Sequence, residues 1–289
     1  MDGWIILDKD TGIFSRTAGG RVARMFGTKK FGHIGTLDPM ASGVLPIAIG
    51  GATKMIPFIE DVAPAIKEYL FSMRFGIETD TLDTTGKTIA HDGRIPNDSE
   101  IKEILPSFVG DQLQTPPAYS AVHVDGVRAY KLAHDGQQIE IPPRKITIYE
   151  IEYTGKSDDI YAFRVLCSRG TYVRAIVRDI AKRLGTIATT TMIRRTKSGN
   201  FDIKNAHTLD FLENLVNNSA DIGKYLMPID FGLGDIPVLN LNDKDTEIYV
   251  HGGFVDMVRR DGMYRVYNNN KFIGIGTILN NELHPKRTI

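Results

Sequence analysis

The groups best placed to do chemistry lie between residues 32 and 54, around a single carboxylate, Asp38. Pro39 follows it and pushes its backbone towards an extended form. Gly32, Gly35 and Gly43 give the flanks freedom at positive φ or room for close backbone approach. His33 stands five residues earlier. The apolar run Val44 to Ile49, bounded by Gly43 and Gly50, has the length of a buried strand. A rigid loop holding one carboxylate on a core strand is the kind of place where catalytic groups sit. An aspartate in such a loop equally caps a neighbouring backbone N–H. On these residues alone, both readings stand.

The elements that must position this loop can be read from periodicity. Trp4 to Leu7 is a short strand, followed by a turn over 8–12 and a basic helix over 16–26. Ala52 to Ile59 is a short helix that Pro57 limits or kinks. Glu68 to Phe75 alternates, with Tyr69, Phe71, Met73 and Phe75 on one face, and reads as a strand. In the polar loop after it, Asp80 and Asp83 order the chain by local hydrogen bonds or pair with an arginine. Residues 99–108 form an amphipathic helix capped by Asp98 or Ser99. Residues 115–145 are an excursion from the core: a prolyl pair, a strand over 119–124, a turn at Asp125-Gly126 and a helix near 128–133. Its basic residues are Arg128, Lys131, Arg144 and Lys145. Strands over 146–153 and 161–167 precede a helix from Tyr172 to Leu184. Val173, Val177, Ile180, Ala181 and Leu184 form its apolar stripe, with Gly185 as the C′ residue. Arg174, Arg178, Lys182 and Arg183 fall outside the stripe. Thr189 to Lys197 is a basic strand or loop, and Leu209 to Leu215 a short helix. From Ile236 onward, short β-type runs alternate with Gly and Asn turns.

Bulk properties narrow the class. A length of 289 residues predicts one large domain, or one large and one small. No run of 18 apolar residues exists, so no membrane span is expected. Acidic Asp2 followed at once by a strand-like run argues against a signal peptide. The single cysteine, Cys167, fits a reducing cytoplasm, which is the expected location. The seven histidines show no ligand spacing, so no metal site is expected. Net charge is zero, yet residues 160–200 hold nine Arg or Lys against Asp179 alone. Such a local stripe is a footprint of phosphate contacts, or else a solvated helix face.

Four ordered stretches carry a resemblance. Gly32-His33-Ile34-Gly35-Thr36-Leu37-Asp38-Pro39, with Gly43-Val44-Leu45-Pro46 and Gly51-Ala52-Thr53-Lys54, resembles the catalytic motif of the TruB family of tRNA pseudouridine synthases. Lys67-Glu68-Tyr69 resembles its Lys-x-Tyr strand start. Cys167-Ser168-Arg169-Gly170-Thr171-Tyr172-Val173-Arg174 resembles its Cys-Ser-Lys-Gly-Thr-Tyr-Ile-Arg pattern. Ile193-Arg194-Arg195 is the fourth stretch. Asp10 departs from the family's turn proline, and Ile193 replaces the usual leucine at equal volume.

The resemblance implies an α+β fold: a mixed, largely antiparallel sheet flanked by helices. It implies a catalytic domain over 1–228 with a thumb-like RNA-gripping insertion at 115–145, and a small β-rich PUA-like RNA-binding domain at 236–289. The implied reaction isomerises uridine 55 in the T-arm of tRNA to pseudouridine. Nothing is oxidised and nothing leaves, so no cofactor is needed. The uridine must be flipped out of its stack. Asp38 is the catalytic carboxylate; attack on C1′, attack on C6 and stabilisation of a glycal are all open to it. Arg174 is the candidate counter-charge that keeps it ionised. Tyr69 stacks on the base and assists proton transfer. Tyr172 and Ile193 line the base pocket, His33 fills the flipped base's place or stacks in the loop, and Lys54 contacts phosphate or a pocket acid. A monomer acting on a tRNA stem-loop is expected. The alternatives are an RNA-binding or tRNA-folding protein without catalysis, and a guide-RNA-dependent synthase.

Overall fold

The structure is a computed structural model that describes residues 1–62, 66–120, 122–124, 126–134 and 140–289. Of the features read from sequence, Asp125 of the Asp125-Gly126 turn and the side chain of Arg128 lie outside the described residues. Two compact units divide the chain, and neither is one continuous stretch. One comprises residues 1–37, 44–65 and 199–289; the other comprises 38–43 and 66–198.

The second unit is built on an antiparallel sheet. Its strands run in the spatial order Ala188–Ser198, Lys67–Phe75, Ile160–Cys167, Arg144–Ser157, Gly110–Gln114. Ser42 and Gly43 pair in parallel with Arg194 and Arg195, so the Asp38 loop is tied to the first of these strands. The alternation read over 68–75 holds: Phe71, Met73 and Phe75 are buried, while Leu70 is exposed. Phe71 stacks on Phe163 with ring centroids 5.1 Å apart, and Phe75 meets Tyr161 edge-on at 4.8 Å. Helix Val173–Arg183 packs on strands Ala188–Ser198 and Lys67–Phe75 through its buried stripe. It ends as Gly185 turns to φ +69°, where no Cβ is strained. Gly185 N–H donates to Lys182 O (3.1 Å) and Thr186 N–H to Ala181 O (3.0 Å), satisfying the last carbonyls.

Two helical expectations need correction. The helix read over 99–108 begins at Asp98 and becomes a 3-10 turn at Leu105–Phe108. Its cap is Asn97, not Asp98 or Ser99: the Asn97 side chain accepts from Ser99 and Glu100, and Glu100 reaches back to Asn97 N–H. This capping box satisfies both ends reciprocally. Over 52–59, Pro57 does not limit a helix. A 3-10 turn at Gly50–Met55 leads into helix Ile56–Val62, and Pro57 occupies its first turn, where no N–H is required.

The first unit contains strand Gly3–Lys9, paired in parallel with His207–Thr208, and strand Phe31–His33, antiparallel to residues 47–49. Helices Ser15–Met25 and Leu209–Asn217 flank them. Its C-terminal part is a five-stranded sheet in the order Val238–Asn240, Gly262–Asn268, Lys271–Leu279, Glu282–Thr288, Val255–Asp256. Helix Asp243–Val250, which the β-type texture concealed, accompanies it. Asn269 and Asn270, both at positive φ, make the tight turn read from the asparagine run. Trp4, Ile6, Val44, Met55 and Phe201 share one core cluster with Ile275 of the C-terminal sheet. The chain is thus α+β, with a large, mostly antiparallel sheet and a C-terminal β-rich part.

Candidate active site

The loop carrying Asp38 closes quickly. Ala41 N–H donates to Asp38 O (3.1 Å), and the chain enters its strand at Ser42. Gly43 lies at φ +99°, and a Cβ there would stand 2.1 Å from Arg195 O. Only glycine permits this approach, and it fixes the loop five residues beyond the carboxylate.

Arg174 is the second residue of helix Val173–Arg183, and it is buried although it lies off the apolar stripe. What covers it is polar. Its Nη2 sits 2.7 Å from Asp38 Oδ2 and donates to Tyr119 O (3.0 Å). Its Nη1 donates to Thr81 O (2.8 Å) and lies 3.4 Å from Asp83 Oδ2. One guanidinium therefore serves two carboxylates and two carbonyls from three separate segments. Its Nε is buried without a hydrogen-bond partner, so the contacts of the two Nη groups carry the compensation for burying the charge.

The two carboxylates differ in surroundings. The Asp83 side chain is 5% exposed, and its Oδ1 accepts from Thr85 N–H (2.9 Å), Thr81 Oγ1 and Thr85 Oγ1. It does both things the sequence allowed, ordering its own loop and pairing with an arginine. Asp38 is 38% exposed and is held by Arg174 through its Oδ2. Asp38 is thus held by a buried arginine while its side chain stays partly open to solvent.

Tyr69 and Arg195 are directly opposed on neighbouring strands, as are Phe71 and Ile193. The two-residue period puts all four on one sheet face. Arg195 is fully buried, Tyr69 is 6% exposed and Ile193 is 5% exposed. Burial pushes the Tyr69 phenol above its ordinary value; a hydrogen bond and the charge of Arg195 act the other way, and the negative charge of Asp38 pushes it up again. Tyr69 is thus a neutral phenol at physiological pH, able to donate a proton.

Tyr172 is the N-cap residue of the Arg174 helix. Its N–H donates to Gln114 Oε1 (2.8 Å), its carbonyl accepts from Gln114 Nε2 (3.2 Å), and the Arg144 guanidinium lies 5.6 Å from its ring centroid.

Asp38, Tyr69, Arg174, Tyr172 and Ile193 all belong to the second unit. His33 and Lys54 belong to the first. There, His33 Nε2 is 3.0 Å from Thr36 Oγ1, and Lys54 Nζ donates to the Thr288 carbonyl (3.1 Å). Lys54 therefore engages a backbone carbonyl within its own unit. Among the described residues, no group of three or more His, Cys, Asp or Glu side chains is placed to hold a metal ion.

The basic run over 160–200 is not one stripe. Arg164 pairs with Glu68 and Glu150, and Arg178 pairs with Asp179. Arg174 and Arg195 are interior groups of the site. Arg169, Lys182, Arg183 and Lys197 are exposed. The sequence allowed Asp83 an arginine partner without naming Arg174, and it gave no sign that Arg195 belongs to the interior. Asp83 was visible as a loop residue, but its partner lies 91 positions away. Arg195 was hidden because a charge count does not say which cations face inward.

Comparison with known proteins identifies the family of the chain. The family described as "TruB family pseudouridylate synthase (N terminal domain)" matches residues 23–173. A "tRNA pseudouridylate synthase B C-terminal domain" matches 174–233, and "Pseudouridine synthase II TruB, C-terminal" matches 237–289. The tRNA pseudouridine synthase B of Caulobacter vibrioides is 42% identical over 90% of this chain and 83% of its own length. That of Ehrlichia chaffeensis is 39% identical over 99% of both chains. Among solved structures, a Cbf5-Nop10-Gar1 complex includes a chain of the same fold, with a TM-score of 0.73, 23% identity, and coverage of 99% of this chain and 84% of that one. With the matched segments running from residue 23 to the C-terminus, the chain belongs to the TruB family of pseudouridylate synthases.

Proposed function

We propose that this enzyme is a tRNA pseudouridine synthase that converts uridine 55 of the T-arm, with Asp38 as its catalytic carboxylate. The observation carrying this reading is the Asp38–Arg174 pair, which sets a buried guanidinium against a carboxylate whose side chain stays partly open to solvent. The isomerisation breaks the N1–C1′ bond of uridine and forms a C5–C1′ bond. C5 loses its proton and N1 gains one, so the product has the composition of the substrate.

The uridine is first flipped from its stack, at a cost of a few kcal/mol. Asp38 then supplies negative charge at the sugar or the base, balanced by Arg174. Tyr69, a neutral phenol backed by Arg195, stacks on the base and exchanges a proton during the reaction. Tyr172 and Ile193 wall the base pocket. His33 takes the place of the flipped base, and Lys54 offers its remaining N–H protons to a phosphate.

In this reading the catalytic domain is 1–228, and residues 115–145 grip the T-stem-loop. Residues 236–289 form a PUA-like RNA-binding part. The enzyme works in the cytoplasm as a monomer, without a cofactor or guide RNA. The defining experiment incubates the protein with a synthetic T-arm hairpin and maps the modified nucleotide. Conversion at the position of uridine 55 supports the assignment, and conversion at another uridine refutes the specificity. The exposed cations Arg169, Lys182, Arg183 and Lys197 favour RNA binding as a second, coexisting activity. Tight tRNA binding with no conversion of any uridine would make that activity the sole function.

A further inference from the structure

Strand Gly110–Gln114 leads into the excursion over 115–145, and strand Arg144–Ser157 leads out of it. Gln114 and Arg144 are directly opposed across these strands, so they form the root of the excursion. Both hold one residue on another element, Tyr172. The Gln114 amide grips its backbone from both sides, donating to the carbonyl and accepting from the N–H. The Arg144 guanidinium faces its ring at 5.6 Å. Gln114 is itself 2% exposed, a buried amide whose oxygen and nitrogen both serve Tyr172.

Tyr172 is the N-cap position of the helix bearing Arg174, and that helix receives no capping bond from the Tyr172 side chain. First-turn N–H groups need partners from outside the helix. The Gln114 amide does not reach those of the first turn, but it fixes the cap residue from which that turn starts. Two further bonds run from the helix to the same excursion: Arg174 donates to Tyr119 O (3.0 Å) and Arg178 to Thr115 O (3.0 Å). Four hydrogen bonds and one cation–ring contact over residues 172–178 thus tie the helix to the root and first residues of the excursion. One of the helix residues so tied is the arginine that holds Asp38.

We infer that Gln114 and Arg144 are positioning residues for the isomerisation: by clamping Tyr172 at the root of the RNA-gripping excursion, they set Arg174, and through it Asp38. Neither residue need touch the reacting atoms. The inference rests on the synthase reading above. It adds that the excursion is joined to the catalytic arginine by contacts at its root, so its engagement with RNA and the geometry at Asp38 are linked.

The test uses the full-length protein with Gln114→Met, which keeps the volume and removes both amide bonds, and with Arg144→Met and Arg144→Lys. Two quantities are read on one T-arm hairpin: the single-turnover rate at saturating enzyme, and the Kd. A small misplacement of a catalytic group lowers rate by about tenfold to a hundredfold. That loss is expected for Gln114→Met and, to a smaller degree, for Arg144→Met. For Gln114→Met the Kd should stay within about threefold of wild type, and Arg144→Lys, which keeps a cation over the ring, should recover most of the rate lost in Arg144→Met. Weakened Kd with an unchanged saturated rate would make the pair RNA contacts and overturn the inference. Unchanged rates in both methionine variants would also overturn it. If Gln114→Met does not fold, the partly exposed Arg144 variants decide alone. A wild-type protein that converts no uridine would instead refute the synthase reading.

Discussion

Asp38 and Asp83 share Arg174, but their exposures predict opposite consequences of neutralising them. Asp83→Asn removes a charge whose side chain is 5% exposed and turns an amide N–H towards Arg174 Nη1. Breaking a buried charged pair costs about 3–5 kcal/mol when the partner is left uncompensated. Here Arg174 keeps Asp38, Thr81 O and Tyr119 O, so the lower end, about 3 kcal/mol, is expected. Asp38→Asn removes a charge whose side chain is 38% exposed, where water replaces much of the lost interaction. Partly exposed pairs contribute about 0–1 kcal/mol, and Arg174 keeps Asp83, so under about 1 kcal/mol is expected. The two variants should therefore differ by about 2 kcal/mol in the stability of the second unit. Trp4, the only tryptophan, lies in the other unit, so its fluorescence is the wrong probe. Amide hydrogen exchange across residues 66–198 under native conditions reads the right one. Equal destabilisation by both variants, or a larger loss from Asp38→Asn, would refute the division of labour between the two carboxylates.

Three further outcomes are expected. Gly43→Ala should disrupt the Asp38 loop, since its Cβ would meet Arg195 O at 2.1 Å; a protein with normal stability and turnover would contradict the close approach. The slope of log Kd for tRNA against log salt should fall by about one in Lys182→Ala if this exposed cation meets a phosphate, and an unchanged slope would remove it from the interface. Cys167 is fully buried and its thiol is pushed up to about 11 by burial, so a thiol reagent at pH 8 should label it only as fast as the protein opens. The same raised value has a sign for stability. The unfolded thiol ionises first, so the native state is unaffected below about pH 9 and loses stability between pH 9 and 11.

The parts of this architecture legible in the sequence are those dictated by short-range chemistry. The alternation over 68–75, the stripe on the Arg174 helix with its Gly185 stop, and the buried run at 44–49 each follow from periodicity and one turn residue. Asn97 was missed as a cap because Asp98 and Ser99 cap equally well by type, and only the Glu100 partnership decides among them. Pro57 read as a breaker because the preceding 3-10 turn, which makes it a first-turn residue, has no separate signature. At the site, the Asp38 loop and Arg174 were readable, but the burial of Arg174 was not. Its cover comes from Thr81, Asp83 and Tyr119, whose approach is set by the sheet rather than by local pattern. The same holds for Arg195, whose inward direction follows from its register against Tyr69.

The central claim is that Asp38 is the carboxylate that carries the isomerisation. It is tested most directly by the single-turnover conversion of uridine to pseudouridine in a T-arm hairpin by Asp38→Asn, with the Kd for that hairpin measured alongside. A folded variant that binds within about threefold of wild type and forms no detectable pseudouridine is the predicted result. Near-normal conversion by Asp38→Asn would contradict it.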